Sequence, residues 1–224
     1  MRFWDNRLRP AIVLAGQKRE VRRSRQDDFT LQGLPPINRR AQCRLTRRRT
    51  EQMASLDWTV RALSVDDGPK VWKLIRDAET LDLNSPYTYL MLGKFFAQTC
   101  MIAERDDQIA GFVSGFFLPE SADTLFIWQI AVQPSQRGNR LGTRLLNALW
   151  TAASDRRPVS YLAATVTPNN AASAALFRRF AKARGAKCAV EPCFPLQSFP
   201  GLDHEPEYLY RIGPLGECRR PADQ

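Results

Sequence analysis

TLFIWQIAVQPSQRGNRLGTRLLNALW, residues Thr124 to Trp150, changes its hydrophobic period once, at a glycine-containing turn. Its first part, Thr124 to Val132, is β-branched and aromatic and reads as a strand buried in a sheet. Pro134 has no N–H for a sheet ladder, so the strand ends near Gln133. From Leu141 the apolar residues recur at helical spacing. Leu141, Leu145 and Leu149 make one row, with Leu146 and Trp150 beside it. Between the two elements lies Gln136-Arg137-Gly138-Asn139-Arg140-Leu141-Gly142. A helix whose first turn faces a glycine loop offers free backbone N–H groups and the positive end of its dipole, which suits a phosphate. The stretch predicts a site for a phosphate-bearing ligand.

The chain has 224 residues, enough for a full core in one domain or two, and a net charge of +10. That charge resembles a nucleic-acid signal until it is divided. Residues 1–52 carry fourteen Lys/Arg against five Asp/Glu, whereas residues 53–224 carry nineteen against eighteen. The basicity therefore belongs to an arginine-rich leader with no sustained period. Its runs, such as Arg47-Arg48-Arg49, lack interleaved aromatics. It reads as a disordered extension, or as translated upstream sequence ahead of a true start at Met53. Five cysteines without a C-x-x-C pair, and one histidine, argue against a zinc site and a disulfide framework. Reduced thiols in a cytoplasm are expected, with no metal, no nucleic-acid partner and no membrane span.

Outward from the opening stretch the chain reads as an α/β domain over residues 53–219, with a tail at 220–224. Trp58–Leu63 predicts a strand, and Ser64-Val65-Asp66-Asp67 a capping box for a helix with Val71, Trp72 and Ile75 on one face. A polar, proline-broken loop, Leu81 to Tyr87, precedes a second helix over Tyr87–Phe96. Thr99–Glu104 and Gln108–Leu118 form a hairpin about Arg105-Asp106-Asp107. Beyond Trp150, Val159–Val166 is a strand and Asn170–Ala183 a helix closed by Gly185 at C′. Ala186–Val190 is short and apolar, Pro192–Asp203 irregular, and Glu207–Ile212 alternates as a last strand at the sheet edge. The expected architecture is a mixed central sheet flanked by helices.

This order, with Arg137-Gly138-Asn139-Arg140-Leu141-Gly142 after the fourth strand, resembles the GCN5-related N-acetyltransferase superfamily, whose [QR]-x-x-G-x-[GA] turn cradles the coenzyme A pyrophosphate. Arg140 stands where that pattern has its central glycine. Four longer motifs, LDLNSPY (81–87), FIWQIAV (126–132), ATVTPNN (164–170) and HEPEYLYRIGP (204–214), are similar to those of the diaminobutyrate acetyltransferases. The resemblance covers about residues 57–214. It implies acetyl transfer from acetyl-CoA, in a ternary complex, to the side-chain amine of L-2,4-diaminobutyrate. It also implies a cytoplasmic enzyme of ectoine biosynthesis, a homodimer without a metal.

The same resemblance assigns expected roles. Backbone groups of Ile130, Ala131 and Val132 would meet the pantetheine arm and the oxyanion, while their side chains form sheet core. The turn from Arg137 through Gly142 would hold the pyrophosphate. Asn170 is a coenzyme contact or simply a helix N-cap. Phe177 fills the slot where many members place a tyrosine acid, leaving Tyr208, Tyr210 or water to protonate the thiolate. The acceptor carries two ammonium groups and a carboxylate. Asp82, Asn84 and Tyr87 are the expected acceptor contacts, unless they serve only as loop formers. Trp128 offers an aromatic face to a cation or packs as core. His204 and Glu205 are candidates for a proton relay and Glu207 for an ammonium contact, with a structural histidine as the alternative. Arg211 would meet the substrate carboxylate or lie as a surface charge. Three rival readings stay open: transfer to another amine such as a polyamine, a non-catalytic coenzyme A sensor, and nucleic-acid binding by the leader.

Overall fold

The computed structural model describes residues 58–78, 83–200 and 204–216. Seven strands form one sheet in the order β1-β2-β3-β4-β5-β7-β6. They are β1 (Thr59–Ala62), β2 (Cys100–Arg105), β3 (Gln108–Leu118), β4 (Ser121–Val132), β5 (Tyr161–Val166), β6 (Lys187–Phe194) and β7 (Glu207–Gly213). The helices are α1 (Gly68–Ala78), α2 (Pro86–Phe95), α3 (Leu141–Ser154) and α4 (Ala171–Ala183). Every neighbouring pair of strands is antiparallel except β4 and β5. The mixed, helix-flanked sheet expected from the sequence is present. Among the described residues no helix is long and apolar enough to cross a membrane.

Strand alternation decides which helix covers which face. Phe112 and Ala131 pack with Val71, Leu74, Ile75, Tyr89 and Leu92 beneath α1 and α2. Gly111, one residue earlier on β3, faces the other way, where a Cβ would come 2.7 Å from Leu145 of α3. The row Leu141, Leu145 and Leu149 is buried there, as the helical spacing requires. α4 covers β6 and β7 and buries Leu176, Phe177 and Phe180.

The capping box forms as the sequence predicts: the Asp67 carboxylate accepts from the Ser64 N–H (2.8 Å) and hydroxyl (2.7 Å). Arg61 adds two bonds to the same carboxylate and two to Glu104, locking β1, β2 and the start of α1 together. Two expectations fail at the C-terminal side. β6 runs through Pro192 to Phe194 rather than stopping near Val190. It can do so because β6 is the sheet edge, where a proline leaves no ladder bond unmade. β7 is accordingly internal, between β5 and β6, and the Arg211 guanidinium lies over the Tyr161 ring at 3.5 Å. Cys100 is buried core, and burial pushes its thiol up to about 12. Cys188 and Cys193 instead lie half-buried on the edge strand.

Candidate active site

The site begins where β4 and β5 part. Their pairing covers only Thr124–Phe126 against Tyr161–Ala163. β4 continues to Val132, held by β3 alone, and β5 continues to Val166, held by β7. From Trp128 to Val132 the edge of β4 turned toward β5 thus carries backbone N–H and C=O groups with no ladder partner. Buried backbone polar groups are rarely left so, which marks this gap as a place for a ligand. Opposite Ser114 and Gly115 stand Gln129 and Ile127, so Trp128 is the extra residue of a bulge in β4. Ile130, Ala131 and Val132 follow it, and their side chains are buried. The side chains are thus sheet core, while the backbone edge beside them is open toward β5.

At the end of the gap the chain turns through Pro134–Gln136 and enters α3. Gly138 (φ +87°) and Arg140 (φ +57°) both take positive φ. Arg140 is the N-cap residue, left-handed, and its side chain makes no cap bond. The N–H groups of Leu141, Gly142 and Thr143 therefore face outward with no acidic residue in the first turn. Arg137 is half-buried, and its Nε and Nη2 have no hydrogen-bond partner among the described residues. The Asn139 amide donates to Gln136 (3.4 Å) and braces the turn. An αL conformation at position 140 gives the physical reason for a glycine there in related turns.

Across the gap, the Asn170 Oδ1 accepts from the Ser173 N–H (3.0 Å), the N-cap role. Phe177 is fully buried, with its ring centroid 6.3 Å from that of Tyr210 on β7. Tyr210 pairs with Ala164, one residue beyond the last β4–β5 pair, so it lies where the sheet divides.

The segment entering β7 splits the acidic candidates into different tasks. The His204 Nε2 is 3.6 Å from the Glu207 carboxylate, Nδ1 meets the Glu205 carbonyl, and the ring stacks on Phe199 at 3.9 Å. Glu207 is buried. Glu205 instead accepts from the backbone N–H of Asn169 (3.1 Å) and from its side-chain amide, tying the β5–α4 turn to this segment. His204 and Glu207 are thus brought together, and Glu205 is drawn away as a clamp. On the other side, Asn84 is buried and its carbonyl accepts from Trp72 Nε1 (3.1 Å). Tyr87 is 71% exposed at the start of α2. Trp128 packs half-buried against the α1–α2 core. Asp82 lies outside the described residues.

Sequence reasoning passed over Tyr89, Ser114 and Gln129, which are buried polar groups on the same side as Asn84. The available signal was a glutamine inside the apolar run FIWQIAV. Two surface clefts contain none of the sequence-derived candidates. One, about 370 Å³, is lined by Lys70, Lys73, Asp77 and Gln133; the other, about 450 Å³, by Phe95, Phe96, Phe116 and Arg157. The splayed backbone marks the site better than concavity does.

Residues 69–181 match the model of the Acetyltransferase (GNAT) family. The L-2,4-diaminobutyric acid acetyltransferase of Marinococcus halophilus is 47% identical over 152 residues, covering 68% of this chain and 87% of the relative. That of Streptomyces coelicolor is 40% identical, covering 72% of this chain and 96% of the relative. The chain belongs to the diaminobutyrate acetyltransferases of the GNAT family. A solved diaminobutyrate acetyltransferase from Paenibacillus lautus, in complex with L-2,4-diaminobutyric acid and coenzyme A, superposes with a TM-score of 0.67. It is 40% identical, with 70% of this chain and 95% of that one covered. As a diaminobutyrate acetyltransferase the protein is an acyltransferase, and the gap between β4 and β5 is the opening of its fold.

Proposed function

We propose that the protein transfers the acetyl group of acetyl-CoA directly to the side-chain amine of L-2,4-diaminobutyrate, giving N4-acetyl-L-2,4-diaminobutyrate and coenzyme A. The observation that carries the reading is the near-complete coverage of a 40%-identical enzyme that is described with that acceptor and coenzyme A. The residues present fit the donor. The outward N–H groups of the first turn of α3, and the unpartnered Arg137 nitrogens beside them, suit a pyrophosphate. Unpaired backbone groups of Ile130 to Val132 suit the pantetheine arm and the thioester oxygen. When bound, acetyl-CoA supplies the activated acetyl group and a thiolate leaving group.

The chain's task is to bring a neutral amine to that group. A primary amine has a reference pKa of about 10.4, so nearly all of the acceptor arrives as ammonium. Glu207, with His204 beside it, holds the ammonium and draws off its proton; Trp128 covers it. Asp82, Asn84 and Tyr87 hold the rest of the acceptor. Tyr210, at the division of the sheet and next to Phe177, returns a proton to the departing thiolate. The product suits a cyclising synthase that makes ectoine, a compatible solute in osmotic stress, and we place the enzyme in the cytoplasm as a homodimer without a metal. Acetyl-CoA-dependent thiol release, with diaminobutyrate, ornithine or putrescine added, tests the reading. Diaminobutyrate is expected to give the fastest release, with the acetyl group on N4 by NMR. Turnover of putrescine alone would overturn it.

A further inference from the structure

Beneath the acceptor loop, four neutral polar side chains are buried in otherwise apolar core. Ser114 and Gln129 face each other across the β3–β4 ladder, two residues from Phe112 and Ala131 respectively, and so lie on the α1–α2 face. Tyr89 comes down from α2, and Asn84 closes over from the loop. The Tyr89 hydroxyl stands beside the amides of Asn84 and Gln129, and burial raises its pKa against their opposing effect. It therefore stays a neutral donor at any physiological pH. Yet Asn84 Nδ2, Tyr89 Oη, Ser114 Oγ and both amide atoms of Gln129 have no hydrogen bond in normal geometry among the described residues.

A buried polar atom left in that condition costs folding free energy, and an apolar group of similar shape in its place is often neutral or stabilising. The cluster is thus poorly explained by stability. Its position suggests another use. Asn84 belongs to the loop that leads into Tyr87 at the start of α2, and that loop is anchored from the other side by Trp72 Nε1. Gln129 lies between the bulged Trp128 and Ile130, where the unpaired edge of β4 begins. The line Asn84–Tyr89–Gln129 joins the acceptor loop to the strand beside which the thioester must lie.

Resting on the acetyltransferase reading above, we propose that Tyr89 and Gln129 are positioning residues. They set the height of the acceptor loop over the open stretch of β4 and thereby the amine chain length that reaches the thioester. A misplacement of about 1 Å between reacting groups costs about a hundredfold in rate, so a polar strut that fixes this spacing is worth its stability cost.

The test is steady-state kinetics and thermal melting of Gln129→Met, Tyr89→Phe and the double variant. Gln129→Met is expected to melt no lower than wild type and to raise the diaminobutyrate KM about tenfold, with the acetyl-CoA KM within about twofold. The preference for diaminobutyrate over ornithine should shrink by a similar factor. Tyr89→Phe, which removes one oxygen, should act in the same direction. The double variant should lose no more than Gln129→Met alone, because both act through one link. An unchanged acceptor KM and preference in folded variants, or an equal rise in both KM values, would overturn the proposal. If Gln129→Met does not fold, Tyr89→Phe decides by the same criteria. A wild-type enzyme inactive on diaminobutyrate overturns the functional reading instead.

Discussion

Arg140 holds a left-handed backbone that costs an L-residue about 1 kcal/mol, and its side chain is exposed at the mouth of the first turn of α3. Strain tolerated at a binding turn is expected to be offset by contact with the ligand. Arg140→Ala keeps the strain and removes the cation. It should raise the acetyl-CoA KM about fivefold, the equivalent of about 1 kcal/mol, and leave the diaminobutyrate KM alone; added salt should narrow the difference. His204, Glu205 and Glu207 separate at the same scale. Glu207→Gln should cut kcat about a hundredfold or more and flatten the pH profile. Glu205→Gln, which only loosens the tie to Asn169, should lower thermal stability with the pH profile unmoved. If Glu205→Gln reshapes the pH profile, the division of labour is wrong. The sequence could gather these three residues into one candidate set, because they are neighbours in the chain. It could not divide them, because residues 204–206 are irregular chain ahead of β7, where no strand or helix period fixes which way each side chain turns.

The β1–β2–α1 junction is an element held by charge. Burial alone pushes the Asp67 carboxyl up, but hydrogen bonds from Arg61 and Ser64 outweigh it and bring the pKa down to about 2, below its ordinary 3.8. A carboxyl depressed on folding stabilises the fold at every pH above its unfolded pKa, and that stability is lost as pH falls toward 2. With Arg61 partly exposed, solvent screening leaves about 1 kcal/mol. Asp67→Asn should therefore be less stable than wild type at pH 6 by denaturant titration, with the gap closing between about pH 4 and 2. Where Gly93 of α2 meets Ser64 and Val65, the contact is backbone on backbone. A Cβ on Gly93 of α2 would meet the Ser64 carbonyl oxygen at 2.5 Å, so Gly93→Ala should cost about 2 kcal/mol or more and show as a lower melting temperature. Gly111→Ala presses only on a flexible Leu145 methyl and should cost less. The capping box and the helix periods were legible in advance, since they depend on residues three and four apart. The clash at Gly93 was not, because Ser64 is a partner from another element.

For the whole molecule, the division of charge predicts that a chain beginning at Met53 retains acetyl transfer within about twofold of the full length in kcat/KM, whereas loss of activity would assign the leader a role. Light scattering should give about twice the 25.5 kDa chain mass if the homodimer forms. The sequence by itself determined the succession of strands and helices, the glycine-containing turn ahead of α3 and the family, because periodicity, turn chemistry and motif spacing are local properties. Only the tertiary structure decided that β7 is internal and β6 the edge, that Trp128 is a bulge, and that Gln129 lies beside Tyr89. These depend on which distant strands pair and in what register, and a register is fixed by the sum of contacts across the sheet rather than by any one stretch. The opening between β4 and β5 is of the same kind. Thr124–Trp150 supplies the strand and the turn, but the gap exists only because β4 and β5 part after Phe126 and Ala163, β4 staying with β3 through its bulge and β5 with β7.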